Sequence, residues 1–108
     1  PTLFARAGSA AALVPPALEH LLADSHPEVR LAAARAAVRV APELTDKAVA
    51  AVIDLAKESV GTIKPPLYAH DIFAPAPERA AARLLALFDS ASEPLREWAV
   101  RHAAELPV

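Results

Sequence analysis

The chain contains no cysteine, which excludes disulfides, thiolate metal sites and a cysteine nucleophile. That absence fits a cytoplasmic home, where disulfides are rare. Only two glycines are present, so no glycine-rich loop is available to cradle a phosphate. Aromatic residues make up 5%, too few for a large aromatic core or a base-stacking platform. No uninterrupted apolar run reaches the roughly 18 residues of a membrane span, and the start lacks a signal-peptide layout. Methionine is absent and the first residue is Pro1. The 108-residue chain is therefore expected to be one domain, spanning 1–108, and a piece of a longer protein.

An excess of charge is missing too. The formal net charge is −2 with a pI near 6.1, and this balance argues against a dedicated nucleic-acid binder. What the chain does have is alanine and proline. Its hydrophobic fraction is 55% with 11 prolines. Alanine buries little area per residue, so helices built from it must approach near the 8 Å end of the usual range of roughly 8–10 Å.

The most informative stretch is 15–43, PPALEHLLADSHPEVRLAAARAAVRVAPE. It reads as a helix, a tight turn and a second helix. Ser25 is placed to cap the second helix, with Glu28 reaching back as a capping box. Pro27 falls in the first turn, where its missing N–H costs no helix bond, and Pro42 stops the helix. At about 100° per residue, Val29, Ala33, Ala36, Ala37 and Val40 form one apolar stripe. Leu31, Ala34, Val38 and Ala41 form a second beside it, and Arg35 and Arg39 mark a polar edge. A helix apolar over so wide a sector needs neighbours on two sides, which a stacked array supplies. Arg30 lies between the stripes and needs a partner, because an unpaired buried charge costs several kcal/mol, on the order of those measured for broken buried pairs.

Further along, Ala10 to Ala23 reads as helical with a kink at Pro15-Pro16 and an apolar side of Leu13, Ala17, Leu18, Leu21 and Leu22. Thr45 or Asp46 opens an amphipathic helix to about Ser59, with Val49, Val52, Ile53, Ala56 and Val60 on one side. Residues 60–77 are punctuated by Gly61, Pro65, Pro66, Pro75 and Pro77. They read either as an eroded helix from Pro66 to about Phe73 or as a specialised loop with Tyr68, His70 and Asp71 as contacts. Pro77 opens a helix to about Asp89 with Ala81, Leu84, Leu85 and Phe88 inside. Ser90 or Ser92 caps a last one, whose apolar side is Leu95, Ala99, Ala103 and Leu106, with Trp98 and His102 at an edge.

HPEVRLAAARAAVRV and SEPLREWAVRHAAEL align without gaps. Val29 matches Leu95, Arg30 matches Arg96, Ala33 matches Ala99 and Arg35 matches Arg101, an offset of 66 (95 − 29), or two periods of 33. That period suits a two-helix repeat. The pattern resembles the HEAT-repeat family. HEAT-like units carry an Asp in the turn and a Val-Arg pair early in the second helix, matched here by Asp24 and Val29-Arg30. A proline in the first helix is matched by Pro15 or Pro16. In the last unit Asp89 and Arg96 take these places, with one residue inserted between them.

The resemblance implies an all-α fold, a short right-handed α–α solenoid of about three HEAT-like hairpins at 9–42, 44–76 and 77–107, the middle one irregular. An irregular five-helix bundle is the rival. It also implies a structural role for Asp24 with Arg30, and for Asp89 with Arg96, in tying turn to helix or repeat to repeat.

No chemistry stands out. The histidines, His20, His26, His70 and His102, show no metal-ligand spacing on one helix face, and a lone histidine such as His102 on an apolar edge reads as a satisfied core or rim residue. The serines sit at cap-like positions. No catalytic residue, metal or cofactor is expected. The leading expectation is a non-catalytic scaffold for protein partners, with Arg35, Arg39, Tyr68, His70, Phe73, Trp98 and Arg101 as candidate contacts. The alternatives are a nucleic-acid-binding module and a regulatory or chaperone-like appendage of a larger enzyme. Apolar ends, Leu3 with Phe4 and Leu106 with Val108, are expected to support self-association or to meet flanking repeats.

Overall fold

The computed structural model describes residues 13–59 and 68–107. The expectations for Leu3, Phe4, Ser9, Val60, Pro66, Leu67 and Val108 lie outside them. The described residues are all-α, in six helices: α1 over 13–21, α2 over Pro27–Val40, α3 over Thr45–Ser59, α4 over His70–Phe73, α5 over Pro77–Leu85 and α6 over Glu93–Ala104. The body is elongated, with extents of 55 × 31 × 19 Å.

The turn between α1 and α2 closes with Asp24 N–H on the Leu21 carbonyl at 3.1 Å. Asp24 Oδ1 then accepts the His26 backbone N–H at 2.8 Å, an Asx turn. This corrects the expected cap. His26 is the N-cap residue and its side chain makes no cap bond, so Ser25 and Glu28 do not form a capping box. Asp24 has taken over the turn, and Pro27 follows in the first turn as expected.

The small residues Ala33, Ala34 and Ala37 are the buried positions of α2, and α3 lies against them in the most extensive contact among helices α2 to α6. Val40, expected on the apolar stripe, is exposed. It occupies the last turn of the helix, and Ala41 goes inward in its place before the 3₁₀ turn Pro42–Leu44.

Helix α3 is the centre of the core. Val49, Val52, Ile53 and Ala56 are buried as the period predicts, but so are Ala48 and Leu55. The wider buried arc follows from its neighbours, since α3 touches α2, α4 and α5. Helix α4 is a single turn that drives Ile72 and Phe73 fully inside.

Two expectations in the last third are corrected. Helix α5 stops at Leu85, and the chain continues in tight turns with Leu87 N–H on Leu84 and Phe88 N–H on Leu85. The change of period leaves Leu85 outside, with Leu87 buried and Phe88 only partly so. Helix α6 is capped by Ser92, whose Oγ accepts the Leu95 N–H at 3.3 Å. Its Trp98 is not an edge residue: it is 5% exposed, in the core with Phe73.

Candidate interaction surface

Side-chain bridges link the odd-numbered helices to one another. Glu19 on α1 pairs with Lys47 on α3, and Asp46 on α3 accepts from Arg83 on α5 at 3.1 Å. A separate set links the even-numbered helices. Arg35 on α2 donates through Nε to Asp71 on α4 at 2.7 Å and through Nη2 to the Tyr68 carbonyl at 3.1 Å. Tyr68, just before α4, donates its hydroxyl to Glu105, just after α6, at 3.1 Å. His70 Nδ1 lies 3.7 Å from the same carboxylate. The result is a continuous polar ridge across α2, α4 and the end of α6.

A buried bond lies beneath that ridge. His102 Nε2 accepts the Ala69 N–H at 3.1 Å, and Nδ1 is 2.9 Å from the Trp98 carbonyl. A carbonyl can only accept, so Nδ1 carries the proton and the ring is the neutral tautomer. Burial holds its pKa below the usual histidine value, against the Trp98 carbonyl bond that favours protonation. Around it Trp98 stacks at 4.3 Å, and the Phe73 ring stands edge-on at 5.6 Å. His102 is a satisfied core histidine, as its place on an apolar edge suggested. At the surface, desolvation and then the Glu105 carboxylate push the Tyr68 phenol above its ordinary pKa, so the phenol is held as a donor.

Of the candidate contacts, Arg35, Tyr68 and His70 come together on the ridge, with Asp71 and Glu105 joining them. Arg39 and Arg101 are exposed on the same two outer helices, α2 and α6, and Arg101 is engaged with Glu97 one turn back at 2.6 Å. Phe73 and Trp98 do not belong to this surface. Both are core, because each ring fills the gap between α4 and α6 with an edge-on contact at 5.9 Å.

The expected turn pairs are also redrawn. Arg30 does not bond Asp24. Its Nη1 and Nη2 donate to the two oxygens of Glu58 on α3, at 2.9 and 3.1 Å, a bidentate fork. That bond raises the Arg30 pKa, against burial, with Asp54 and Asp24 adding weaker attraction. The same bond holds Glu58 below the usual carboxylate range. Asp24 is lowered by its bonds from His26. Arg96 likewise bypasses Asp89 and donates to the Ser90 carbonyl at 2.5 Å. The extra residue in that turn puts a carbonyl where the carboxylate was expected. Glu58 and Glu105 were not foreseen as partners, since each lies far from its arginine or tyrosine in sequence and no local spacing announces it.

Residues 13–44, which hold the described part of α1, all of α2 and the 3₁₀ turn, match the HEAT-repeat family model. The chain carries a HEAT repeat. No curated protein and no solved structure matches the chain. The HEAT repeat supplies Asp24, Arg30, Arg35 and Arg39, the last two on the outward edge of its second helix. No helix among the described residues is long and apolar enough to cross a membrane.

Proposed function

We propose that this HEAT-repeat protein is a non-catalytic scaffold, that its hairpins are α1/α2, α3/α4 and α5/α6, and that protein partners dock on the ridge formed by Arg35, Tyr68, His70 and Glu105 with Arg39 and Arg101 beside it. The observation that carries the reading is the ridge itself. It presents a tyrosine that is 52% exposed and fixed at both its backbone and its hydroxyl, so little side-chain entropy is lost when a partner covers it. Arginine and tyrosine are residue types that anchor interfaces. Apart from the Arg30–Glu58 fork between α2 and α3, the side-chain bridges between the described helices join odd with odd and even with even, which supports three stacked hairpins over a bundle.

A nucleic-acid interface is the weaker reading, because two of the three arginines that would form a basic stripe are neutralised, Arg35 by Asp71 and Arg101 by Glu97. The test is quantitative capture of partners on the immobilised protein against a ridge variant, Arg39→Glu with Tyr68→Ala, both folded by circular dichroism. Specific proteins retained by the wild type and lost on the variant support the scaffold. Identical recovery by both would move the interface elsewhere, and salt-sensitive retention of nucleic acid alone would replace the reading.

A further inference from the structure

We infer that His102 is an acid-released latch for the ridge: a proton taken up at Nε2 breaks its bond to the Ala69 N–H and frees the segment that carries Tyr68. The inference rests on the ridge reading above and adds its regulation.

The two nitrogens of the His102 ring are used in different ways. Nδ1 donates to the Trp98 carbonyl one turn back on its own helix, while Nε2 accepts from Ala69, the residue before α4. The first bond survives protonation, because Nδ1 already carries a proton. The second does not. With a proton on Nε2, two N–H donors face each other where a bond of 3.1 Å stood. The ring is 5% exposed and Ala69 is fully buried. Neither donor can turn to solvent unless the segment moves, and leaving both unsatisfied inside is costly.

The bond sits where its loss reaches the surface. Ala69 is the N-cap residue of α4, and its carbonyl accepts from Ile72 and Phe73. Its neighbour Tyr68 places its carbonyl on Arg35 and its hydroxyl on Glu105, and its ring leans over His102 at 5.8 Å. The bonds of residues 68 and 71 to Arg35 and Glu105 are exposed, whereas the one from Ala69 to His102 is buried. Surface pairs contribute little each, so the buried bond is the fastening that holds this segment down.

The groups around the ring decide when it opens. Glu105, just past α6, favours the imidazolium, and His70 on α4 opposes it. His70 Nδ1 itself lies 3.7 Å from the Glu105 carboxylate. Phe73 from α4 and Trp98 from α6 face the ring without charge. Helix α5 buries Ala80 and Leu84, with Glu78 and Arg79 exposed and Arg83 bonded to Asp46. On α2, Arg35 is bonded to Asp71. Burial outweighs the pull of Glu105, so the latch is closed at neutral pH and yields in mild acid.

The experiment is NMR on the labelled whole chain between pH 7.5 and pH 5, following the His102 and Tyr68 rings and the hydrogen exchange of the Ala69 amide. Ala69 is expected to exchange ahead of the buried α3 amides. Its protection should fall by up to about tenfold for each pH unit below the ordinary histidine value of 6.5, with the Tyr68 ring shifting in step. In His102→Gln the side-chain oxygen accepts from Ala69 but takes up no proton, so the fall should vanish; His70→Gln should keep it. Constant protection of Ala69 in the wild type overturns the inference. So does an Ala69 that exchanges only together with α3, which is global unfolding, or a fall that vanishes in His70→Gln. No partner enters this measurement. Failure of the ridge to capture proteins would leave the latch standing, and an Ala69 amide indifferent to pH would leave the scaffold reading standing.

Discussion

The guanidinium of Arg30 grips both carboxylate oxygens of Glu58, at 2.9 and 3.1 Å, and so links α2 to α3. The arginine side chain is 14% exposed while the carboxylate looks onto solvent. The pair therefore spans the boundary of the core, and its charge could not have been left there without a partner. Arg30 Nε is buried without a hydrogen bond, so the terminal fork carries the whole polar contact.

The first prediction concerns which acid matters to Arg30. In double-mutant cycles read by urea unfolding, Arg30→Met with Glu58→Gln should show a clear coupling. Arg30→Met with Asp24→Asn should be close to additive, because Asp24 spends its oxygen on the His26 turn. Equal coupling in the two cycles would restore the local pair.

Trp98 is expected to behave as a core residue. Trp98→Ala should cost about 3–5 kcal/mol, a large share of the roughly 5–15 kcal/mol that holds such a domain together. Denaturant unfolding should show it, with Trp98→Phe much milder. A variant with wild-type stability and altered partner binding would put Trp98 back on the surface.

The pH dependence follows from His102. Its folded pKa lies below the ordinary 6.5 because burial disfavours the charged ring. The unfolded chain therefore takes up the proton first as pH falls. Stability from this group is complete above about 6.5, declines below it, and levels off once pH passes under the folded value. Thermal melts at pH 7.5 and pH 5 should show a larger acid loss for the wild type than for His102→Gln, and ring NMR shifts should show His102 titrating below the ordinary histidine range. A ring that titrates at or above the ordinary value would reverse the sign.

Surface arginines should be cheap. Arg101→Ala removes an exposed bond to Glu97 one helical turn away, a pair type worth a few tenths of a kcal/mol. Arg39→Ala is expected within about 0.5 kcal/mol of wild type. A loss several times larger in a melt would show that either side chain packs in a contact of its own.

Much of the fold was legible because it depends on local rules. Proline at a first turn, serine at a cap and the apolar period placed α2, α3 and α6 to within a few residues, and the HEAT pattern at Asp24 and Val29-Arg30 named the family. Where local chemistry offered two answers, the reading slipped. Asp24 and Ser25 both suit a turn, and only the backbone geometry chose Asp24. Leu85 and Leu87 both suit a core, and the end of α5 decided between them.

By itself, then, the sequence determined helices, their order and a helix surface too apolar to stand alone, since these follow from propensity and periodicity within a dozen residues. Only the tertiary structure decided who pairs with whom. Arg30 with Glu58, Tyr68 with Glu105 and His102 with Ala69 join positions 28 to 37 residues apart. The same packing took Phe73 and Trp98 off the surface. No spacing rule reaches across that distance, because the partner of a side chain is set by which helix comes to lie beside it.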